Sequence, residues 1–170
     1  MNELLTLAGV CIGALIAGLF TLISNRYNFE RDLKKESLKL KQQRLDEVVK
    51  YAIEYFSAGG LLVSAIDGVS KDVEYNGKAH PDASEFLKGH DKKYTDASHN
   101  LEFCNAKLII YDKNSSDALL MLWQYHNYLS EIRISVFRHG SITVPDQVQM
   151  RQHLKELGSK RTQFFNRLEP

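Results

Sequence analysis

Hydrophobic and polar positions divide the chain near Ser24. From Leu4 to Ser24 the sequence LLTLAGVCIGALIAGLFTLIS holds 21 residues without a charge. At 1.5 Å per residue a helix of that length covers roughly 30 Å, the hydrocarbon thickness of a bilayer. The pattern predicts a transmembrane helix over residues 4–24. After it the chain is charged, and apolar residues recur at intervals of three and four, the period of amphipathic helices. No Pro occurs before Pro81, so a long helix is expected to emerge from the membrane.

A cleaved signal peptide would need a basic start, a shorter apolar core and a small-x-small cleavage site, none of which is clear. Val10 stands before Cys11 where a lipidation site wants a small residue. Orientation follows from the flanks. Arg26, Arg31, Lys34, Lys35, Lys39, Lys41 and Arg44 all lie after the apolar run, and cations remain on the cytoplasmic side. The N-terminus is expected outside the inner (plasma) membrane and the C-terminal part in the cytoplasm, in contact with membrane lipids. Within the run, Gly9, Gly13 and Ala17 form one ridge of small residues and Ala14 and Gly18 a neighbouring one. Such ridges let two helix backbones approach closely, so they are candidates for self-association.

Residues 25–37 read as a charged juxtamembrane helix or stalk, with Glu30 and Lys34 as a favourable i,i+4 pair. Residues 38–168 read as a cytoplasmic helical bundle. Leu38, Gln42, Leu45, Val49, Ala52 and Phe56 follow an a/d-like pattern, with Val48 and Ile53 widening the face. Leu38, Leu45, Val49, Ala52 and Phe56 are therefore candidate helix-association positions, in a short coiled coil or, beyond Val48, as the first helix of the bundle. Gly59 and Gly60 predict a kink. Asn76 to Pro81 is the clearest loop, and Asp82 with Glu85 resembles a capping box opening a helix through Tyr111. Its expected apolar face includes Phe86, Leu87, Tyr94, Leu101, Cys104 and Leu108. A helix over Asp117–Arg138 follows, with Trp123 expected to fill the core. A last one starts near Pro145 or Asp146 and uses Val148, Leu154, Leu157, Phe164, Phe165 and Leu168. The expected fold is all-α: an N-terminal single transmembrane helix followed by an antiparallel four-helix bundle.

Composition narrows the functions. A chain of 170 residues, 44% hydrophobic and 25% charged, supports one core. The formal net charge of +1 gives no field for steering onto a polyanion, so DNA is not implied and RNA is disfavoured. Cys11 and Cys104 form neither a disulfide framework nor a thiolate zinc site. Cys104 reads as a small core residue. The six histidines, His80, His90, His99, His126, His139 and His153, show no His-Glu-x-x-His spacing, and no metal or cofactor is expected. Asp91, Asp96 and Glu102 read as solvated helix charges.

One pattern carries enzymatic meaning. Arg133, five intervening residues and His139 resemble the Arg-x(4 to 6)-His motif of HEPN ribonucleases, a family of helical domains. The resemblance covers this helix end only, and Ile134 stands where the family commonly has a polar residue. It implies that Arg133 would stabilise phosphate charge and His139 transfer a proton. The plainer reading makes Arg133, Arg138 and His139 a solvated helix C-terminus compatible with the helix dipole. The leading expectation is a membrane-anchored, non-enzymatic helical protein that self-associates or binds a protein partner. The alternatives are a membrane-anchored HEPN-like ribonuclease and a small membrane-permeabilising, holin-like or defence effector. The architecture also broadly looks like that of bacterial and phage proteins with one membrane helix and a small helical domain.

Overall fold

The computed structural model describes residues 2–111, 115–138 and 142–168, with side chains described for 13, 15–110, 115–138 and 142–168. The described fold is all-α, in the order α1 (Asn2–Asn76), α2 (Ala83–Ala97), α3 (His99–Tyr111), α4 (Ser116–Val136) and α5 (Gln147–Asn166). The chain forms two compact units, Met1–Gln43 and Arg44–Pro170.

In the first unit every described side chain is exposed. The helix contains a stretch long and apolar enough to cross a membrane. The Thr21 hydroxyl donates to the Ala17 carbonyl at 2.8 Å, which satisfies a polar group that hydrocarbon would otherwise leave unpaired. The expected Glu30–Lys34 pair is replaced by Arg26–Glu30 at 3.2 Å and a looser Lys35–Asp32 contact at 3.9 Å. Both are surface pairs of small energetic weight.

The second unit has the core. A membrane helix followed by four separate bundle helices is not what forms. The same α1 continues into this unit and supplies core residues from Val48 onward, and three helical arms follow it: α2 with α3, then α4, then α5. Ser98 divides the first arm, which the apolar spacing predicts as one helix. Its hydroxyl donates to the Thr95 carbonyl at 2.6 Å and its amide to the same oxygen at 3.1 Å, diverting the backbone from the i to i+4 ladder.

Gly59 and Gly60 do not interrupt α1. Gly59 instead marks a close helix crossing: a Cβ there would stand 2.7 Å from both Leu129 Cδ2 and Tyr125 Oη, whereas nothing lies within 4 Å at Gly60. Helix α1 ends where the loop was expected. Gly77 adopts φ 71° and its amide donates to the Val73 carbonyl at 2.9 Å, a left-handed C-terminal cap. Asp82 precedes α2 without a side-chain cap, so the expected Asp82–Glu85 box does not form. The capping box stands at α5, where Asp146 Oδ1 accepts from the Gln149 amide at 2.8 Å and Gln149 Oε1 accepts from the Asp146 amide at 3.3 Å.

Phe56 centres an aromatic group with Tyr125 (4.6 Å between centroids), Phe164 (5.3 Å) and Phe165 (5.7 Å). Trp123 does not fill the core; it is 37% exposed, and Leu122, Tyr125 and Leu129 hold the inward positions. Phe86, Val148 and Leu154 are likewise exposed, with Leu87 and Met150 buried beside them. The apolar stripes lie partly turned from their expected centres.

Candidate functional site

Two phenols and an imidazole converge inside the second unit. Tyr55 of α1, Tyr94 of α2 and His126 of α4 meet through three short contacts: Tyr55 Oη to Tyr94 Oη at 2.9 Å, Tyr55 Oη to His126 Nδ1 at 2.8 Å, and Tyr94 Oη to His126 Nδ1 at 3.3 Å. Both tyrosines are buried, and Trp123 packs edge-on against the imidazole at 5.5 Å. Burial raises both phenol pKa values above the ordinary value, so both phenols stay protonated. Desolvation, and next the Arg133 charge, lowers that of His126. A neutral imidazole offers Nδ1 as acceptor to a phenolic O–H donor.

About two turns further along α4, Arg133 reaches α2. Its Nε donates to Asp91 Oδ1, its Nη2 to Asp91 Oδ2 at 3.0 Å and to Thr95 Oγ1 at 3.2 Å. Asp91 is therefore an ion-pair partner rather than a solvated helix charge. A phosphate approaching Arg133 would have to displace a carboxylate gripped in the paired geometry that guanidinium favours. Asp91, Arg133, Ile134, Phe137 and Arg138 line a groove of about 440 Å³. His139, the second residue of the HEPN-like pattern, lies outside the described residues, as does the segment after it to residue 141.

The remaining histidines are dispersed. His153 Nδ1 pairs with Tyr128 Oη at 2.9 Å, His80 faces Asp82 at 3.6 Å, and His90 packs on Phe86. Among the described residues no three His, Cys, Asp or Glu side chains gather to hold a metal ion. Cys104 is fully buried, with its thiol 3.5 Å from the Val48 carbonyl and pushed up to about 12 by desolvation first and the Glu54 charge second. That thiol is a packing group, not a nucleophile.

The association candidates separate into two sets. Ala52 and Phe56 face the core of their own chain, Leu45 and Val49 pack partly against it, and Leu38 is exposed. Gly13 and Gly18 face open space, Ala17 is exposed, and the surroundings of Gly9 and Ala14 lie outside the described side chains. The residues least legible beforehand were Tyr55, Tyr125 and Asp91. Tyr55 lies one position before Phe56 on α1, and a buried tyrosine needs a partner, which was the available signal. No family model, curated protein or solved structure matches this chain.

Proposed function

We propose that this is a single-pass membrane protein, N-terminus outside and C-terminal part in the cytoplasm, whose antiparallel four-helix domain works by protein association without catalysis of its own. The observation that carries the reading is the helix between membrane and domain. Tyr27, Phe29, Leu33, Leu38 and Leu40 are all exposed there, among seven cations between residues 26 and 44. Large apolar side chains held in water on a helix that buries nothing of its own mark a surface for another protein. The polar cluster supports the same reading, since His126 is satisfied by tyrosines and Arg133 by Asp91 and Thr95. Those groups join helices to each other.

The test is the mass of the full-length protein in mild detergent, corrected for bound detergent, together with protease access in sealed vesicles. A discrete oligomer and a domain protected from the outer side are expected. A monomer that brings no partner with it, or a domain cut from outside, overturns the reading.

A further inference from the structure

We infer that two copies of this chain pair in parallel and in register along a seam of α1 formed by Leu15, Leu19, Leu22, Phe29, Leu33 and Leu40. The inference rests on the association reading above and names the surface and the partner. The spacing is the observation. From Leu15 the positions advance by four, three, four, three, four, three and four residues, and six of the eight are large and apolar; Arg26 and Glu36 occupy the other two. At about 100° per residue the six fall within an arc of roughly 80°. That 3-4 alternation is the repeat by which one helix seats its side chains between those of another wound at the same period. All six are exposed, with Phe29 at 64%, Leu33 at 49% and Leu40 at 48% on the water side.

The seam differs from the two other candidate faces. Leu38 lies about 140° round the helix from Leu33, and Gly13 and Ala17 roughly 160° from Leu15. Leu38 shares its side with Tyr27 and Leu45, but Arg31, Lys34 and Lys41 stand around it.

A second copy fits better than an unrelated helix. Chains anchored in one bilayer with one orientation run parallel at equal depth, so Phe29 meets Phe29 and Leu33 meets Leu33 without any further alignment. The strip is about 38 Å long and ~10 Å wide, on the order of 400 Å² of footprint per copy. That is small beside the roughly 800 Å² of a standard interface formed in free solution, and confinement to a membrane raises the effective concentration that a small interface needs. Within hydrocarbon the leucines add packing only, because lipid is as apolar as they are. Phe29, Leu33 and Leu40 therefore carry the driving force. Arg26 is held by Glu30 of its own chain. Glu36 is left as one charged layer of the seam, which weakens the pair while penalising slipped registers.

Cross-linking of full-length protein in native membranes tests this. In a Cys11→Ser background, single substitutions Leu33→Cys, Leu40→Cys, Leu38→Cys and Gly13→Cys are oxidised mildly; Cys104 is fully buried and stays in place. Disulfide-linked dimers at Leu33→Cys and Leu40→Cys, about tenfold above the other two positions, are expected, since a disulfide needs Cα atoms within about 7 Å. Glu36→Leu should raise the dimer fraction severalfold on dilution in detergent, by removing the charged layer.

Dimers at Leu38→Cys or Gly13→Cys instead overturn the seam and leave self-association standing. Adducts to a different protein at residues 33 and 40 overturn the second copy as occupant. A Glu36→Leu variant that dimerises less overturns the in-register seam, in which Glu36 meets Glu36. Absence of cross-links at all four positions overturns this inference, and only a monomeric mass with no bound partner removes the association reading with it.

Discussion

Tyr55 Oη lies 2.8 Å from His126 Nδ1, so a phenol on the long first helix is bonded to an imidazole on the fourth. Desolvation first and the Arg133 charge second keep the His126 pKa below the ordinary 6.5, and in the neutral ring Nδ1 accepts from a phenol. The unfolded chain takes up a proton near that ordinary value while the folded chain resists it. Stability is therefore full above about pH 6.5 and is lost as the pH falls below it. His153, lowered by its own desolvation, acts in the same direction. Thermal melts of full-length protein in detergent should show a lower Tm at pH 5 than at pH 7.5, with a smaller difference in His126→Gln. Equal differences in the two proteins would show that His126 protonation does not carry the loss.

The adjacent glycines of α1 should respond oppositely to alanine. Gly60→Ala meets open space and should stabilise by up to about 1 kcal/mol through helix propensity. Gly59→Ala puts a methyl against the buried Leu129 and Tyr125. Overpacking there costs roughly 1–3 kcal/mol, which exceeds the propensity gain. Denaturant midpoints of the two variants decide it, and stabilisation by both would mean that α4 yields easily.

Arg133 and Asp91 should couple modestly. Their side chains are 38% and 21% exposed, so solvent screens the pair and a double-mutant cycle with Arg133→Ala and Asp91→Ala should give about 1 kcal/mol or less. Loss of an RNA-cleaving activity in Arg133→Ala without loss of folding would instead favour the HEPN-like reading.

The start of α5 is tied to α1 by buried polar contacts. Gln147 Nε2 donates to Ser70 Oγ at 2.9 Å and to Asp67 Oδ1 at 3.2 Å, and Ser70 Oγ donates to the Pro145 carbonyl at 2.7 Å. Gln147→Leu should cost about 1–2 kcal/mol, because it removes the donor and leaves acceptors unpaired. Hydrogen exchange should speed up first at residues 147–150. Uniform acceleration across the domain would show that this end is not a separate unit.

Cys104 should resist alkylation in Cys11→Ser protein until the domain unfolds, since it is fully buried and its thiol pKa is pushed up to about 12. Rapid labelling at pH 7.5 under native conditions would place Cys104 on a surface.

Several elements were readable from local chemistry alone. The Asn76–Gly77 stop of α1 needs only a left-handed residue, and the run of uncharged residues from Leu4 to Ser24 needs only a length and a count. Local reading erred where a partner decided. Trp123 lies beside Leu122 and Leu129 in the same stripe, yet the packing turned α4 so that the indole stayed at the margin. Ser98 stands inside an unbroken apolar repeat, and the competition between its hydroxyl and the ladder leaves no mark in that repeat.

The sequence by itself determined an all-helical chain with a stretch able to span a bilayer and a charged segment beyond it, because helix period, charge and length are properties of neighbours in the chain. Tertiary structure decided that one helix serves both units, that Gly59 admits α4 closely, and that Asp91 holds Arg133 while Tyr55 holds His126. Those outcomes depend on which side chains meet across 42 and 71 residues of sequence, and that distance is closed only by packing of the core.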